Sequence, residues 1–449
     1  MVLPPRIRLS ESEKDALLLD QAALIERLAA RIAELEAALG KPRKTSSNSH
    51  LPPSKDGPGR GDRPKRPRRK RPSRPGKSRP LTETPDKTER RMASECGHCG
   101  MDVSGARQRC RQRHDHIELP IIRPVVTRVE LFGGRCGGWG HRYKAQAPDA
   151  MAPGSPFGPG IRSLLMYLHH SHHVGFERLS RMARELFGLT ISEGAIANAF
   201  RRAGADLATA SEAIKRKLVT ARIIASDETT TRVDGMTQWQ WVFISDKAVL
   251  HKIAPRRAKS VAEDVLAGHR PDVWVSDRYA GQQELGSRHQ VCLAHVLRDV
   301  QYAFDSGDTV FAPRIRDHLR WAIRVGKRRS QLKDGTLSAY AAKADNKLDA
   351  LMAAPVAHPA GKTLLKQVKA WRTKFFVFMT DRDVPATNNI SEREIRPSVI
   401  FRKVTNGFRS DWGAQIHAGY RSVTGTARIN GKPAFDAIRD LIDGKFALA

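Results

Sequence analysis

Three acidic residues in the second half of this sequence have the types and settings that phosphoryl chemistry requires. Asp227 lies in RIIASDETTTRV, Asp277 in DVWVSDRYAGQ and Glu392 in ATNNISEREIRPSVIFRK. The first two close apolar, β-branched runs, the pattern of a buried strand, so each carboxylate is expected at a strand end. The third falls on a stretch of helical character more than a hundred residues later. Two strand-end aspartates and a helix glutamate supply hard oxygen ligands for two divalent cations, Mg²⁺ or Mn²⁺. Such a pair promotes in-line attack on a phosphodiester by water or by a 3′-hydroxyl, with no protein nucleophile.

The charge of the chain names the phosphodiester. A formal net charge of +31 over 449 residues, with a pI near 10.5, makes a field that gathers polyanions, and DNA is the expected partner. No apolar run approaches the roughly 20 residues that span a bilayer, and the N-terminal stretch lacks the apolar core of a signal peptide. Five cysteines, two of them in a Cys-x-x-Cys pair, fit a reducing cytosol and a metal site better than disulfides.

The elements that must position the acids are legible from residue 221 onward. RIIASDETTTRV, QWQWVFISD and AVLHKIAP read as three strands, with VDGMT as the turn between the first two. A helix, AKSVAEDVLAG, and a fourth strand, DVWVSD, follow. Three meandering strands, a helix and a further strand suit a ribonuclease H-like fold, a mixed α+β architecture with helices on both faces of the sheet. In that order Asp227 and Asp277 come side by side although fifty residues separate them.

Other segments have their own signatures. Residues 10–40 carry a heptad stripe (Leu18, Ile25, Leu28, Ile32, Leu35, Leu39), which predicts a coiled-coil helix and a homo-oligomer. Residues 41–91 form a basic linker whose apolar content is too low to offset chain entropy, so disorder is expected. Residues 92–150 read as a small module with a cysteine knuckle and a strand pair in HIELPIIRPVVTRVELF. Cys96, Cys99, Cys136 and His141 are its candidate Zn²⁺ ligands, with Trp139 where a second knuckle cysteine would stand. Residues 157–215 have the pattern helix, glycine-containing turn, helix capped by Ser192. As a helix-turn-helix, this unit turns Asn198, Arg201 and Arg202 toward DNA. The catalytic unit is expected over 221–425, with a basic helical insertion near 295–380, and a last helix over 426–449.

Taken together, the leucine-rich helix, the SSNSxxPPS segment, the knuckle, the DET and SDRYAGQ strands, Cys292-Leu-Ala-His295 and the NNISER block resemble a transposase of the insertion-sequence 66 family, bacterial enzymes of the DDE type. The resemblance covers nearly the whole chain, and the NNISER block is its most distinctive part. It implies that Asp227, Asp277 and Glu392 are the catalytic, metal-binding triad of an enzyme that cuts transposon ends and joins them to target DNA. It also implies accessory proteins encoded beside it and a place in the bacterial cytoplasm, at the nucleoid. Glu392 rather than Glu394 follows NNIS directly, where such proteins place the glutamate. Cys292 and His295 lie in HQVCLAHVLRDVQYA, which reads as one helix, and their Cys-x-x-His resembles a signature of several DDE transposase families. One helical turn puts both side chains on one face, so a structural role pinning the helical insertion to the sheet is expected, with a metal-ligand pair the alternative. Asn388, Asn389, Arg393, Arg396, Arg402 and Lys403 are candidates to cap the glutamate helix or to clamp the DNA strand by charge. Competing readings are a non-catalytic DNA-binding regulator, which has no use for an acidic triad, and a ribonuclease H-like nuclease that cuts without joining.

Overall fold

The computed structural model describes residues 10–39, 42–49, 51, 55–56, 79–148, 151 and 154–448. Helix α1 (Glu11–Leu39) holds the heptad stripe, and Leu18, Ile25 and Leu28 on it are exposed. The side chains of Ile32, Leu35 and Leu39 and the Lys/Arg-rich stretch 57–78 lie outside the described residues. The start of the basic linker is not free chain. Asn48 and Ser49 are buried, and Asn48 Nδ2 donates to Asp305 Oδ2 at 2.9 Å.

The knuckle module differs from expectation. Its described strands are β1 (Gly133–Arg135) and β2 (Arg142–Lys144), an antiparallel pair around Cys136–His141. HIELPIIRPVVTRVELF forms no strand pair; Ile117, Leu119, Ile121, Val125 and Val126 stand exposed. Pro120 and Pro124 interrupt this run, and each removes a ladder donor and restricts the residue before it.

Four helices follow: α2 (Pro159–His172), α3 (Phe176–Phe187), α4 (Glu193–Arg202) and α5 (Gly204–Leu218). Gly188 closes α3 at φ +66°, and the Ser192 side chain accepts from Ala195 N–H to start α4. The sheet then forms from β3 (Ile223–Val233), β4 (Met236–Ile244), β5 (Val249–Ala254), β6 (Val273–Ser276) and β7 (Arg288–Val291), with α6 (Lys259–Leu266) between β5 and β6. Its order is β5-β4-β3-β6-β7, with β3, β6 and β7 parallel and β4 antiparallel to both β3 and β5. Asp234 and Gly235, both at positive φ, make the β3–β4 turn. β7 corrects the expectation of one helix through HQVCLAHVLRDVQYA, since the helix begins only at Leu293.

Strand alternation divides the core in two. Ile224, Trp241, Phe243, Leu250 and Trp274 face a cluster that also holds Leu165, Ile196, Leu207, Tyr420 and Leu441. Thus the helical unit and the last helix share one core with the sheet. Ala225, Val242, Ile244, Val273, Val275 and Val291 point the other way. They pack against the insertion: α7 (Leu293–Asp305), α8 (Phe311–Lys327), α9 (Asp334–Ala353), α10 (Pro359–Ala370) and α11 (Val377–Thr380). The chain returns through α12 (Asn389–Thr405), α13 (Asp411–Ile429) and α14 (Ala434–Ile442). This is a mixed α+β, ribonuclease H-like arrangement. Among the described residues no helix is long and apolar enough to cross a membrane.

Candidate active site

Strand register brings the two aspartates together. β3 and β6 run parallel with Ala225 opposite Val275, and Asp227 and Asp277 each follow two residues later. Asp277 directly follows the end of β6, as expected, but Asp227 lies in the middle of β3, which continues through DETTTRV to pair with β4. Neighbouring parallel strands are about 5 Å apart, and Asp227 is on the face shared with Ala225. Glu228 N–H donates to Asp227 Oδ1 at 2.9 Å, and Tyr279 N–H donates to Asp277 Oδ1 at 2.8 Å.

Glu392 arrives on the first turn of α12, its N–H donating to Asn388 C=O at 3.2 Å. Two buried residues hold that turn in place. Asn388 Nδ2 donates to the carbonyl of Ser226, beside Asp227, at 2.7 Å. The N–H of Asn388 donates to Cys292 Sγ at 3.1 Å, and the N–H of Cys292 donates to the carbonyl of Ser276, beside Asp277, at 2.8 Å. One asparagine and one cysteine thus tie both aspartate strands to the glutamate helix.

The Asp227 and Glu392 carboxyls sense their acidic neighbours. Burial first, then Glu228 and Asp277, and more weakly Glu392, push the Asp227 carboxyl well above the usual carboxylate range. Burial also raises Glu392, against the nearby Arg298 charge and with a contribution from Asp277. Glu392 Oε1 is buried and accepts no hydrogen bond. Buried carboxylates near one another are costly when bare, and their hard oxygens suit Mg²⁺ or Mn²⁺, although Asp227, Asp277 and Glu392 do not bring one ligand atom each within 4.8 Å of one another.

Glu394 has a different environment. It is 4 % exposed and receives Arg421 Nη2 at 2.7 Å, with Arg428 on its other oxygen and His251 Nε2 at 3.4 Å. From His251 a buried polar chain continues through Gln240 and Ser398 to His417 and His170. Glu394→Ala is expected to destabilise the fold by about 3–5 kcal/mol, because it strands the buried Arg421 charge. Urea unfolding measures this, and an unchanged midpoint would contradict it.

Glu228 is a site neighbour that sequence reading passed over. Alternation sends it to the opposite face from Asp227, where it pairs with Arg257 at 2.5 Å and also receives Gln282. The Arg257 guanidinium lies over Tyr279 at 3.7 Å and Trp239 at 4.9 Å. The DET triplet carried the only hint, a second acid directly after the first.

The other candidates are placed unevenly. Asn389, Arg393, Arg396 and Lys403 are exposed along α12. Arg402 is half-buried and donates to the carbonyl and hydroxyl of Thr230 on β3, so it braces the sheet and is not available to a DNA strand. Asn388, 1 % exposed, likewise has no surface to offer DNA. Asn198, Arg201 and Arg202 are exposed on α4, with Arg201 over the Trp412 ring at 4.5 Å. Cys292 is buried, and as the residue preceding α7 it places His295 in that helix's first turn.

Of the candidate zinc ligands Cys96 and Cys99 lie together, but the four are not gathered into one group. Cys96 and Cys136 each begin the same turn, closed by Gly100 and Gly140 at φ +72° and +65°. Backbone N–H groups of His98 and Cys99 lower the Cys96 thiol, and those of Trp139 and Gly138 lower Cys136. Yet Cys96, Cys99, Cys136 and His141 do not form one ligating group; among the described residues the only such group is Cys292, His295 and Glu392. Trp139, 84 % exposed, supplies no donor where a fourth thiolate would close the site.

No curated protein matches the chain. A family model described as "Transposase IS66 family" matches residues 154–416, which runs from the helical unit through the sheet and insertion into α13. On that match over more than half its length, the chain belongs to the IS66 family of transposases.

Proposed function

We propose that this transposase cleaves the ends of its element and joins them to target DNA at Asp227, Asp277 and Glu392. The observation that carries this reading is the placement of Asp227 on β3 and Asp277 directly after the neighbouring parallel β6, with Glu392 near enough that Asp277 and Glu392 help raise the Asp227 carboxyl and Asp277 helps raise that of Glu392. Divalent cations bound there would activate a water or 3′-hydroxyl and stabilise the departing oxygen. The carboxylates themselves orient those oxygens in line, and Asn388 and Cys292 keep the glutamate at a fixed distance from both strands.

DNA would approach along α12. Asn389, Arg393, Arg396 and Lys403 follow at i, i+4, i+7 and i+14, one stripe of the helix that holds Glu392. Alanine at Arg393, Arg396 or Lys403 is expected to lower the slope of log affinity against log salt by about 1 each. Titrations of end DNA at several salt concentrations read that slope; an unchanged slope would remove the residue from the interface. Asn198 and Arg202 on α4 form a second contact surface, read as the helix-turn-helix. A second copy of the chain covers the exposed Leu18, Ile25 and Leu28 of α1 as a coiled coil, and proteins of the same element assist. Cleavage and joining of labelled end duplexes test the reading.

A further inference from the structure

We propose that Cys292, His295 and Glu392 form a second cation site, selective for thiophilic ions such as Zn²⁺, that borrows Glu392 from the carboxylate centre. One ligand atom from each of these three residues lies within 4.8 Å of the others. His295 Nε2 is 3.7 Å from Glu392 Oε1. Ligands of a tetrahedral zinc with bonds of about 2.0–2.3 Å are spaced roughly 3.4–3.6 Å apart, so the pair needs only a small inward movement to share one ion. Three protein ligands leave the fourth position open.

The thiol is built as a ligand. Cys292 precedes α7, and its Sγ accepts the Asn388 N–H at 3.1 Å, with the N–H groups of His295 and Ala294 also directed at it. These backbone N–H groups favour the thiolate, the form that binds metal, but burial first, and Glu392 with it, leave the Cys292 thiol raised overall. The opposing cost is burial, which a cation on the sulfur offsets. Glu392 Oε1, buried and without a hydrogen bond, is the third donor.

The two sites differ in chemistry. Asp227 and Asp277 offer only hard oxygen, whereas sulfur and imidazole select softer ions over Mg²⁺. Glu392 belongs to both, so an ion held by Cys292 and His295 withdraws it from Asp227 and Asp277. That consequence, inhibition of the Mg²⁺ reaction by zinc, rests on the function proposed above; the binding site does not.

Cobalt absorption tests the site without DNA or turnover. The probe is Co²⁺, titrated into full-length chain carrying Cys96→Ser, Cys99→Ser, Cys110→Ser and Cys136→Ser, which leaves Cys292 as its single thiol. The expected result is a thiolate-to-cobalt band that saturates at one ion per chain and that Zn²⁺ displaces. His295→Ala and Glu392→Gln should each weaken binding by roughly 10–100-fold, the scale on which even outer-shell partners act. A folded chain, verified by circular dichroism, that gives no thiolate band would overturn the proposal. So would a band indifferent to both His295→Ala and Glu392→Gln. Because binding is read alone, loss of strand transfer with an intact cobalt site would count against the catalytic reading and not against this one.

Discussion

Asp227→Asn, Asp277→Asn and Glu392→Gln are each expected to lower end cleavage and strand transfer by on the order of 10³-fold or more, about 4 kcal/mol of transition-state stabilisation at 1.36 kcal/mol per tenfold. Each substitution keeps the shape of the side chain and removes one anionic ligand from a centre that must hold divalent cations. Binding of end DNA should persist, because the exposed basic stripe on α12 is untouched. The fold should persist too. Glu392 is a third exposed and has no strong ion pair, whereas Glu394, two residues later, is enclosed by arginines. Gel-shift and cleavage assays on the same preparations separate the two effects. Full cleavage by any of the three variants would show that the residue is not a catalytic ligand.

The second large effect is acid lability. His169, His170, His251, His289 and His417 are buried or nearly so, and burial is the leading cause that depresses each. His169 falls to about 4 and His289 to about 3, and the other three fall well below the ordinary value. In the unfolded chain each titrates near 6.5. Between the two values the unfolded chain binds more protons, so the stability these groups contribute is fully present above about pH 6.5. It is lost as the pH falls from there through the folded values, at up to about 1.4 kcal/mol per pH unit for each. Five such groups cost roughly 7 kcal/mol over one unit at the limit, comparable to the whole stability of a typical domain. Thermal melts between pH 7.5 and 5 should therefore show a steep decline that begins near 6.5. His170 and His417 share one hydrogen bond, Nδ1 to Nδ1 at 3.2 Å, and a proton on either ring charges that contact. A melting temperature flat to pH 5 would mean that these rings accept protons without unfolding.

How far the residues announced this arrangement depends on whether the signal was local. The strand end before Asp277 was legible because an apolar, β-branched run stops there, whereas Asp227 also closes an apolar run but sits mid-strand, because β3 continues through the polar, β-branched ETTTRV that pairs with β4. β7 was not legible. RHQV is four residues long, joins the next helix through a single cysteine, and carries no turn residue between them, so a short buried parallel strand read as the start of a helix. The choice between Glu392 and Glu394 shows the same limit. Two residues on a helix turn about 200°, so only one can face the aspartates, but periodicity alone does not say which. The family resemblance implies Glu392, and the two carboxylates have different environments, one raised by burial and one enclosed by arginines. Arg402 and Lys403 are adjacent in sequence and point to opposite environments, one onto Thr230 and one to solvent. The histidine chain was invisible because its members come from α2, α13 and β5, and each alone is an ordinary residue on an apolar face. The missing strand pair at 116–132 is the reverse case: the apolar residues were visible, and Pro120 and Pro124 carried the contrary signal.

Strand transfer in vitro tests the central claim most directly. Purified chain, Mg²⁺ and a labelled duplex bearing the ends that flank its own gene are combined, with the neighbouring gene products added in a parallel reaction. Joined products that depend on Mg²⁺ and vanish with Asp277→Asn are the predicted result. End binding without any cleavage or joining, in Mg²⁺ and Mn²⁺ alike and with the neighbouring proteins present, would contradict a working catalytic centre at Asp227, Asp277 and Glu392.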